Sequence, residues 1–364
     1  MQTGNKGIII GIIAFMLFMK TGRSSGEDTL KYVEASRFQL IGKGFIDSDN
    51  KYQRLPENLK TVVRPPVWNL STNCAGLAVR FRTNSKIIAA DWDVTGDIVM
   101  NHFAPTGIKG LDLYCLVNGK WQFVNSARPT GKSSRSVIIS HMTGEDREYM
   151  LYLPLYDGLS HLEIGIEPNA TIQDPSIDSP RRDKPVVFYG TSITQGGCAT
   201  RAGMAYPSIL SRMLGRQTIN LGFSGNGQLD PEIAGFMADI DASCFVIDCL
   251  PNVTSEMMKE KYVRFLEIIR DKKPEVPILL VENVWYAHMP FDQEVSSRII
   301  EKNNLLKNIW KDMKKTGDRN IYYIKAEHLT GDDGEGTVDG VHLTDLGFIR
   351  MSQRIFPVIN KLIR

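Results

Sequence analysis

The chain has 364 residues, of which 42% are hydrophobic and 23% charged, with a net charge of +2. That length is large for a single core, so two domains are expected. The near-balanced charge gives no electrostatic ground for a nucleic-acid or acidic partner, and no internal repeat or long low-complexity tract is present.

In chain order, Lys6 precedes an apolar run from Gly7 to Met19, followed by Lys20 and the polar stretch Thr21 to Asp28. The run is short for a bilayer span but suits the core of a secretory signal. No Ala-x-Ala cleavage site follows it, so residues 1–28 read as a signal peptide or an uncleaved N-terminal anchor. The mature protein is expected to be exported, periplasmic or secreted, with membrane contact only through an uncleaved segment. Five cysteines (Cys74, Cys115, Cys198, Cys244 and Cys249) include no Cys-x-x-Cys pair. They give neither a metal signature nor a disulfide framework. Cys244 and Cys249 bracket one predicted strand and, an odd number apart, point to opposite faces, which argues against a bond between them.

Residues 29–173 show short alternating or β-branched runs and little helical periodicity. Leu77–Arg82, Lys86–Ala90, Leu111–Val117, Tyr149–Leu153 and His161–Ile166 all read as strands. Asn118-Gly119 is a hairpin signal, with Trp121–Val124 as its returning strand. Many short strands at this spacing predict a β-sandwich, jelly-roll-like in type. Trp68, Trp92 and Trp121 have the chemistry of a sugar-stacking surface, although core packing is the commoner fate of tryptophan in a sandwich.

Residues 174–185 hold Pro175, Pro180 and Pro185 among Ser, Asp and Arg, a composition that predicts a linker. From 186 to 364 the pattern becomes strand alternating with helix. Val186–Tyr189, Gln217–Leu221, Cys244–Leu250, Ile278–Val281 and Ile321–Ile324 read as five buried strands. Helices are predicted from the apolar face that Tyr206, Ile209, Leu210, Met213 and Leu214 share, around Glu256–Arg270, over Gln293–Met313 and over Asp345–Leu362. Such alternation predicts a three-layer α/β domain around a parallel sheet.

In open α/β sheets the chemistry sits beyond the carboxyl ends of the strands. After the first strand stand Gly190-Thr191-Ser192, and a serine there serves a turn or helix cap as readily as catalysis. After the second comes the glycine-rich Asn220–Gly227, whose backbone N–H groups suit an anion. The third is followed by Leu250-Pro251-Asn252, and the fifth by Gly334–His342.

This set, in this order, resembles the SGNH (GDSL-like) hydrolase superfamily. Gly110-Leu111-Asp112-Leu113-Tyr114 matches the Gly-x-Asp-Leu-Tyr motif of the N-terminal domain in its two-domain group, and Tyr52–Pro56 is similar to another segment of that domain. The resemblance implies Ser192 as nucleophile, His342 as general base and Asp339 as the carboxylate that orients the imidazole. It implies an oxyanion hole from the N–H groups of Ser192 and Gly222 and the side-chain amide of Asn252. The chain departs from the family pattern at Thr191, where better-known members carry Asp. Glu335 and Thr337 match the segment before Asp339 and are expected to be hydrogen-bonding supports, with Glu282 orienting a loop.

The residue types fit the chemistry. A serine hydroxyl is a poor nucleophile until an imidazole accepts its proton, and a carboxylate must fix that imidazole's tautomer. No metal or other cofactor is expected. His288 follows the fourth strand within reach of the pocket but reads as an incidental loop residue, His328 has no partner with ligand spacing, and Arg201 reads as either a substrate contact or solvated. Met257 and Met258 read as helix core, and Asp112 and Tyr114 as structural in preference to substrate contacts. The resemblance implies an exported serine esterase that removes small acyl groups, acetyl first among them, from a carbohydrate. The alternatives are an esterase or thioesterase for lipid or other acyl substrates, and a sugar-binding protein with an inert hydrolase half. The partner expected is therefore an acylated small molecule or oligosaccharide, and the oligomeric state is not legible.

Overall fold

A computed structural model describes residues 30–46 and 52–364. The expected signal or anchor at 1–28 lies outside the described residues, and no described helix is long and apolar enough to cross a membrane.

The chain opens with β1 (Lys31–Glu34) and β2 (Gln39–Ile41). A short helix α1 (Pro65–Ser71) precedes β3 (Ala78–Thr83) and β4 (Ile88–Val94). A one-turn helix α2 (Pro105–Ile108) then leads to β5 (Leu111–Val117), β6 (Lys120–Ala127), β7 (Ser133–Ile139), β8 (Arg147–Tyr152), β9 (Leu159–Ile166) and β10 (Ile172–Gln173). One antiparallel sheet runs β1-β9-β4-β7. The other runs β10-β3-β8-β5-β6, with β2 added on β3. Between β5 and β6, Asn118 (φ 50°) and Gly119 (φ 73°) both adopt positive φ, the requirement of the tight turn that matches strand twist.

Alternation along the second sheet explains how the two halves join. Leu111, Leu113 and Cys115 of β5, with Val79, Phe81, Tyr149 and Leu151, face the first sheet and close the sandwich core. Their neighbours Ala78, Tyr114, Met150 and Tyr152 point the other way. They share a second core with Val186, Phe188, Ile193, Tyr206 and Phe348 of the other half. The sandwich therefore buries both faces of this sheet.

The second half carries β11 (Arg181–Gly190), α3 (Ser192–Gln195), α4 (Tyr206–Leu214), β12 (Arg216–Gly222), α5 (Pro231–Asp239) and β13 (Cys244–Asp248). Next, α6 (Ser255–Met257) passes through a π-helical turn at Met258–Tyr262 into α7 (Val263–Lys272). The chain ends with β14 (Ile278–Val281), α8 (Gln293–Lys315), β15 (Ile321–Ile324) and α9 (Asp345–Leu362). All five strands are parallel, in the order β12-β11-β13-β14-β15. β11 is the first strand in sequence and has later strands on both sides. Its carboxyl end is therefore the topological switch point where a ligand crevice opens.

One boundary needs correction, one helix was not anticipated, and the three tryptophans follow the commoner of their two fates. The linker was expected to run to Pro185, but β11 begins at Arg181 and the register slips between Arg181 and Val186. Pro185, without an N–H, is tolerated because it sits at that irregularity. The helix α5 was not anticipated, although Asp230-Pro231-Glu232 is a fair helix start. The three sandwich tryptophans form no common surface: Trp92 is fully buried and donates from Nε1 to Lys109 O at 3.0 Å. Trp68 is packed in α1, and Trp121 lies under the Arg80 guanidinium at 4.9 Å.

Arg201 is not simply solvated. Its Nη1 donates to Asp112 Oδ2 (2.7 Å) and to Tyr114 Oη (2.6 Å), the two motif side chains of β5 that face away from the sandwich core. Asp112 also accepts from Gly203 N–H (2.9 Å) and the Ser126 hydroxyl (2.9 Å). We predict that Asp112→Ala, which strands the guanidinium and two other donors, destabilises the protein by about 3 kcal/mol. A urea midpoint within error of wild type would refute this role for the motif.

Candidate active site

Register brings the site together before any side chain is considered. Gly190, the last residue of β11, is paired with Gly222 of β12 and Asp248 of β13, so three strand ends are level. Ser192 follows the first end, the loop 223–227 the second and Asn252 the third.

Ser192 is the first residue of α3, a helix of one turn too short to announce itself by periodicity. Thr191 caps it: its Oγ1 accepts from Ile193 N–H (3.2 Å), while Thr194 Oγ1 accepts from Thr191 N–H (3.2 Å). Thr191 thus supplies the capping oxygen that an aspartate would give at this position. The carbonyl of Ser192 accepts from Gly197 N–H (2.7 Å) and from the Tyr156 hydroxyl (3.3 Å), fixing the turn on both sides.

His342 Nε2 lies 2.9 Å from Ser192 Oγ, and His342 Nδ1 lies 2.7 Å from Asp339 Oδ2. The other carboxylate oxygen of Asp339 accepts the N–H groups of His342 (2.7 Å) and Val341 (3.0 Å). Partial burial alone would raise the Asp339 carboxyl, but these donors hold it down, at about 2. An ionised carboxylate can only accept, so Nδ1 carries the proton and Nε2 presents a lone pair to Ser192.

The turn that carries Asp339 and His342 is anchored from outside. Val338 N–H donates to His342 O (2.8 Å), and Ala287 N–H donates to Gly340 O (2.9 Å). His288, expected to be incidental, packs beneath this turn: a Cβ on Gly340 would stand 2.5 Å from His288 Nδ1. Glu335 and Thr337 support the turn through backbone alone. Glu335 O accepts from Thr344 Oγ1 (3.2 Å), and Thr337 is bridged to Leu343. Neither side chain makes a hydrogen bond among the described residues, against the expectation. Glu282 does hold a loop, accepting from the Tyr323 hydroxyl and from Ala326 N–H (2.7 Å) where the chain leaves β15.

One expected oxyanion donor is displaced. Gly222 is fully buried in β12 and its N–H donates to Asn220 Oδ1 at 2.9 Å, so it has no proton to offer a substrate. The reason is local: the Asn220 amide folds back between Thr194 O (2.8 Å) and Gly222 N. Three residues on, Gly225 is exposed with φ 68°, and its N–H has no partner among the described residues. The N–H of Ser192 and the Nδ2 of Asn252 are likewise unengaged. Asn252 Oδ1 accepts from Gly227 N–H (3.2 Å), which sets the amide's orientation. The turn bearing Asn252 is held by buried Lys302, whose Nζ donates to Leu250 O (2.7 Å) and Asn283 Oδ1 (3.0 Å). A signal for Gly225 was available in the sequence, since two further glycines stand in the same run, but nothing there ranks them.

The family model for GDSL-like lipases and acylhydrolases matches residues 183–360, and that for the N-terminus of SGNH-hydrolase-type esterases, GxDLY, matches 30–172. A protein from Bacteroides ovatus described as a GDSL-like lipase is 38% identical, with a TM-score of 0.88 over 92% of this chain and 98% of that one. The salicylyl-acyltransferase SsfX3 of a tetracycline biosynthetic pathway is 17% identical, with a TM-score of 0.70 over 92% and 99%. An acetyl xylan esterase from Butyrivibrio proteoclasticus is 13% identical, with a TM-score of 0.55 over 91% and 99%. These last two share the fold. No curated protein sequence matches the chain. The chain belongs to the GDSL-like lipase/acylhydrolase family, and it is an SGNH-type hydrolase acting on ester bonds.

The two glycines can be told apart by mutation. A Cβ at Gly222 would stand 2.1 Å from Gln195 N, backbone that cannot yield. Gly222→Ala is therefore expected to prevent folding or to lower the melting temperature sharply, rather than give a folded, slow enzyme. A well-folded Gly222→Ala protein with reduced kcat would restore Gly222 to the oxyanion hole.

Proposed function

We propose that the protein is an exported serine esterase that removes small acyl groups, acetyl foremost, from a carbohydrate through an acyl-enzyme on Ser192. The observation that carries the catalytic part is the continuous chain Asp339–His342–Ser192, with contacts of 2.7 and 2.9 Å. His342 Nε2 takes the proton as Ser192 Oγ attacks the acyl carbon, and imidazolium forms beside an ionised Asp339. The N–H groups of Ser192 and Gly225 and the Asn252 amide hold the oxyanion. His342 then protonates the departing alcohol, and water, activated by the same nitrogen, releases the carboxylate and frees Ser192.

The carbohydrate reading is supported by the ground beside the triad rather than by the sandwich tryptophans. A cavity of about 300 Å³ is lined by Trp285, Tyr286, Met289, Pro290 and Thr337, of which Thr337 stands two residues before Asp339. Trp285 is 45% exposed there, an aromatic face free for a sugar ring. A second cavity, about 570 Å³, includes Asn252 and shares Tyr286 with the first. The acetyl xylan esterase among the fold neighbours agrees with this substrate class. Export rests on the apolar run at 7–19.

Ser192→Ala should abolish hydrolysis of a chromogenic acetyl ester with the fold intact. Asn252→Ala should lower kcat by about a hundred-fold or more with little change in KM, since an oxyanion donor acts mainly in the transition state. A folded Ser192→Ala protein that keeps most of its kcat would overturn the mechanism. An Asn252→Ala effect confined to KM would make that residue a substrate contact only. Release of acetate from acetylated xylo- and cello-oligosaccharides, followed by mass spectrometry, tests the substrate class.

The pH profile has a defined sign. Asp339 stays ionised down to about 2, so it does not titrate across the working range. Protonation of His342 removes the lone pair that accepts the serine proton, so kcat/KM falls toward acid with a slope of one proton. The same activity should survive chelators, because the nucleophile is a side chain activated by an imidazole. Chelator-sensitive hydrolysis restored by zinc would contradict this scheme.

A further inference from the structure

The loop joining β4 to β5 carries His102 out of the sandwich to the mouth of the α/β half. There its ring centroid lies 5.8 Å from that of His342. Cys198, three residues beyond α3, is buried and held at φ 71°. One ligating atom from each of His102, Cys198 and His342 lies within 4.8 Å of the other two. The thiols of Cys74 and Cys244 are given to backbone carbonyls. That of Cys198 makes no hydrogen bond among the described residues.

We propose that His102, Cys198 and His342 form an inhibitory binding site for a thiophilic divalent metal, zinc being the type, that closes on the catalytic imidazole. One thiolate and two imidazoles is a donor set suited to zinc, and three protein ligands leave a fourth position for water or Ser192 Oγ. Asp339 on Nδ1 is the kind of carboxylate partner that orients a metal-bound imidazole and strengthens it as a donor. With Nδ1 so engaged, the nitrogen left for the metal is Nε2, which lies 2.9 Å from Ser192 Oγ. On binding, Cys198 releases its proton to solvent and the metal takes the Nε2 lone pair. The serine proton then has no acceptor. Metal binding needs only the three side chains, whereas inhibition rests on the reading of His342 as general base. No spaced motif announces the site, since its ligands come from three loops and meet only when the sandwich docks.

Another grouping, Asp91, His161 and Glu163, also brings three ligating atoms together. It lies on β4 and β9 of the sandwich, away from the reacting atoms, and Asp91 is already paired with Arg135. It serves as the control.

The test uses the full chain and acetyl-ester hydrolysis titrated with zinc chloride, with cobalt(II) as the spectroscopic probe. Zinc should inhibit the wild type, and chelator should reverse it. His102→Ala and Cys198→Ser should hydrolyse at near wild-type rates without metal but need about ten-fold more zinc or higher for half-inhibition. His161→Ala should behave as wild type. Cobalt should give a thiolate charge-transfer band that Cys198→Ser abolishes. If the Cys198 variant fails to fold, exposed His102→Ala still decides. Half-inhibition unmoved in both variants, or stimulation by zinc, overturns the proposal. Absence of the cobalt band with hydrolysis intact overturns the metal site and leaves the hydrolase reading standing. A cobalt band without loss of activity overturns the inhibition and speaks against His342 as the base.

Discussion

The active site depends on a buried cation, Arg54, that has no carboxylate partner among the described residues. Arg54 is 2% exposed and spends its guanidinium on four backbone carbonyls. Asn73 (2.9 Å) and Leu70 (2.6 Å) come from the sandwich half, Asn220 (3.1 Å) and Gly222 (2.6 Å) from the end of β12. Burial lowers its pKa to about 10, still charged at neutrality. An uncompensated cation in such a place is costly unless its donors are met with good geometry. Here the carbonyls do so, and the Phe223 ring lies 5.0 Å below. Arg54 thus fixes the last residues of β12 against the sandwich. The loop holding Gly225 leaves from that fixed point.

The nucleophile turn is tied to the same place. Gln195, the last residue of α3, donates to Asn73 Oδ1 (3.2 Å) and Leu155 O (3.1 Å) and accepts from Ser224 N–H (3.0 Å). Asn220 bonds to Thr194 O. One polar layer therefore runs from the sandwich through α3 to the glycine loop, with the motif pair Asp112 and Tyr114 holding Arg201 nearby. This is a supporting role for the β-domain, whose Arg54, Arg64 and Asp112 each hold a segment of the α/β half. His102 also comes from the β-domain, its ring beside that of His342 and its Nδ1 bonded to Asn101 Oδ1.

Much of this was legible because repeating patterns carry it. The five parallel strands announced themselves as short apolar runs, and α9 was readable from its helical pattern, its start fixed in the structure by the Thr344 cap. The chain's departures came where one side chain redirects another. Gly222 and Gly225 stand in one glycine-rich run. Which N–H faces the substrate is decided by Asn220, whose amide folds back on its own strand. Pro185 reads as a strand breaker until the slip that accommodates it is visible. Trp92 and Trp121 have the composition of a sugar platform, and only burial reveals one as core and the other as the floor beneath Arg80. The trio at His102 has no spacing at all, being a product of docking.

Two carboxyl groups support the nucleophile turn and its base, Asp248 through Thr194 and Asp339 through His342, and their surroundings drive them in opposite directions. Asp339, partly open and given three hydrogen bonds, is held at about 2. Asp248, at the level end of β13, is pushed by burial up to about 7. Only two neutral hydroxyls pull it back, those of Tyr206 (3.0 Å) and Thr194 (3.2 Å), both on Oδ2. Carboxylates separated in this way take different work. The charge that stabilises an imidazolium must be permanent, and it resides on Asp339. Asp248 instead braces Thr194, which caps α3 from beneath. Its reluctance to ionise reduces the standing negative charge beside α3. The strand register that makes Gly190, Gly222 and Asp248 level therefore also buries Asp248, while Asp339, on the turn before α9, stays open to the imidazole.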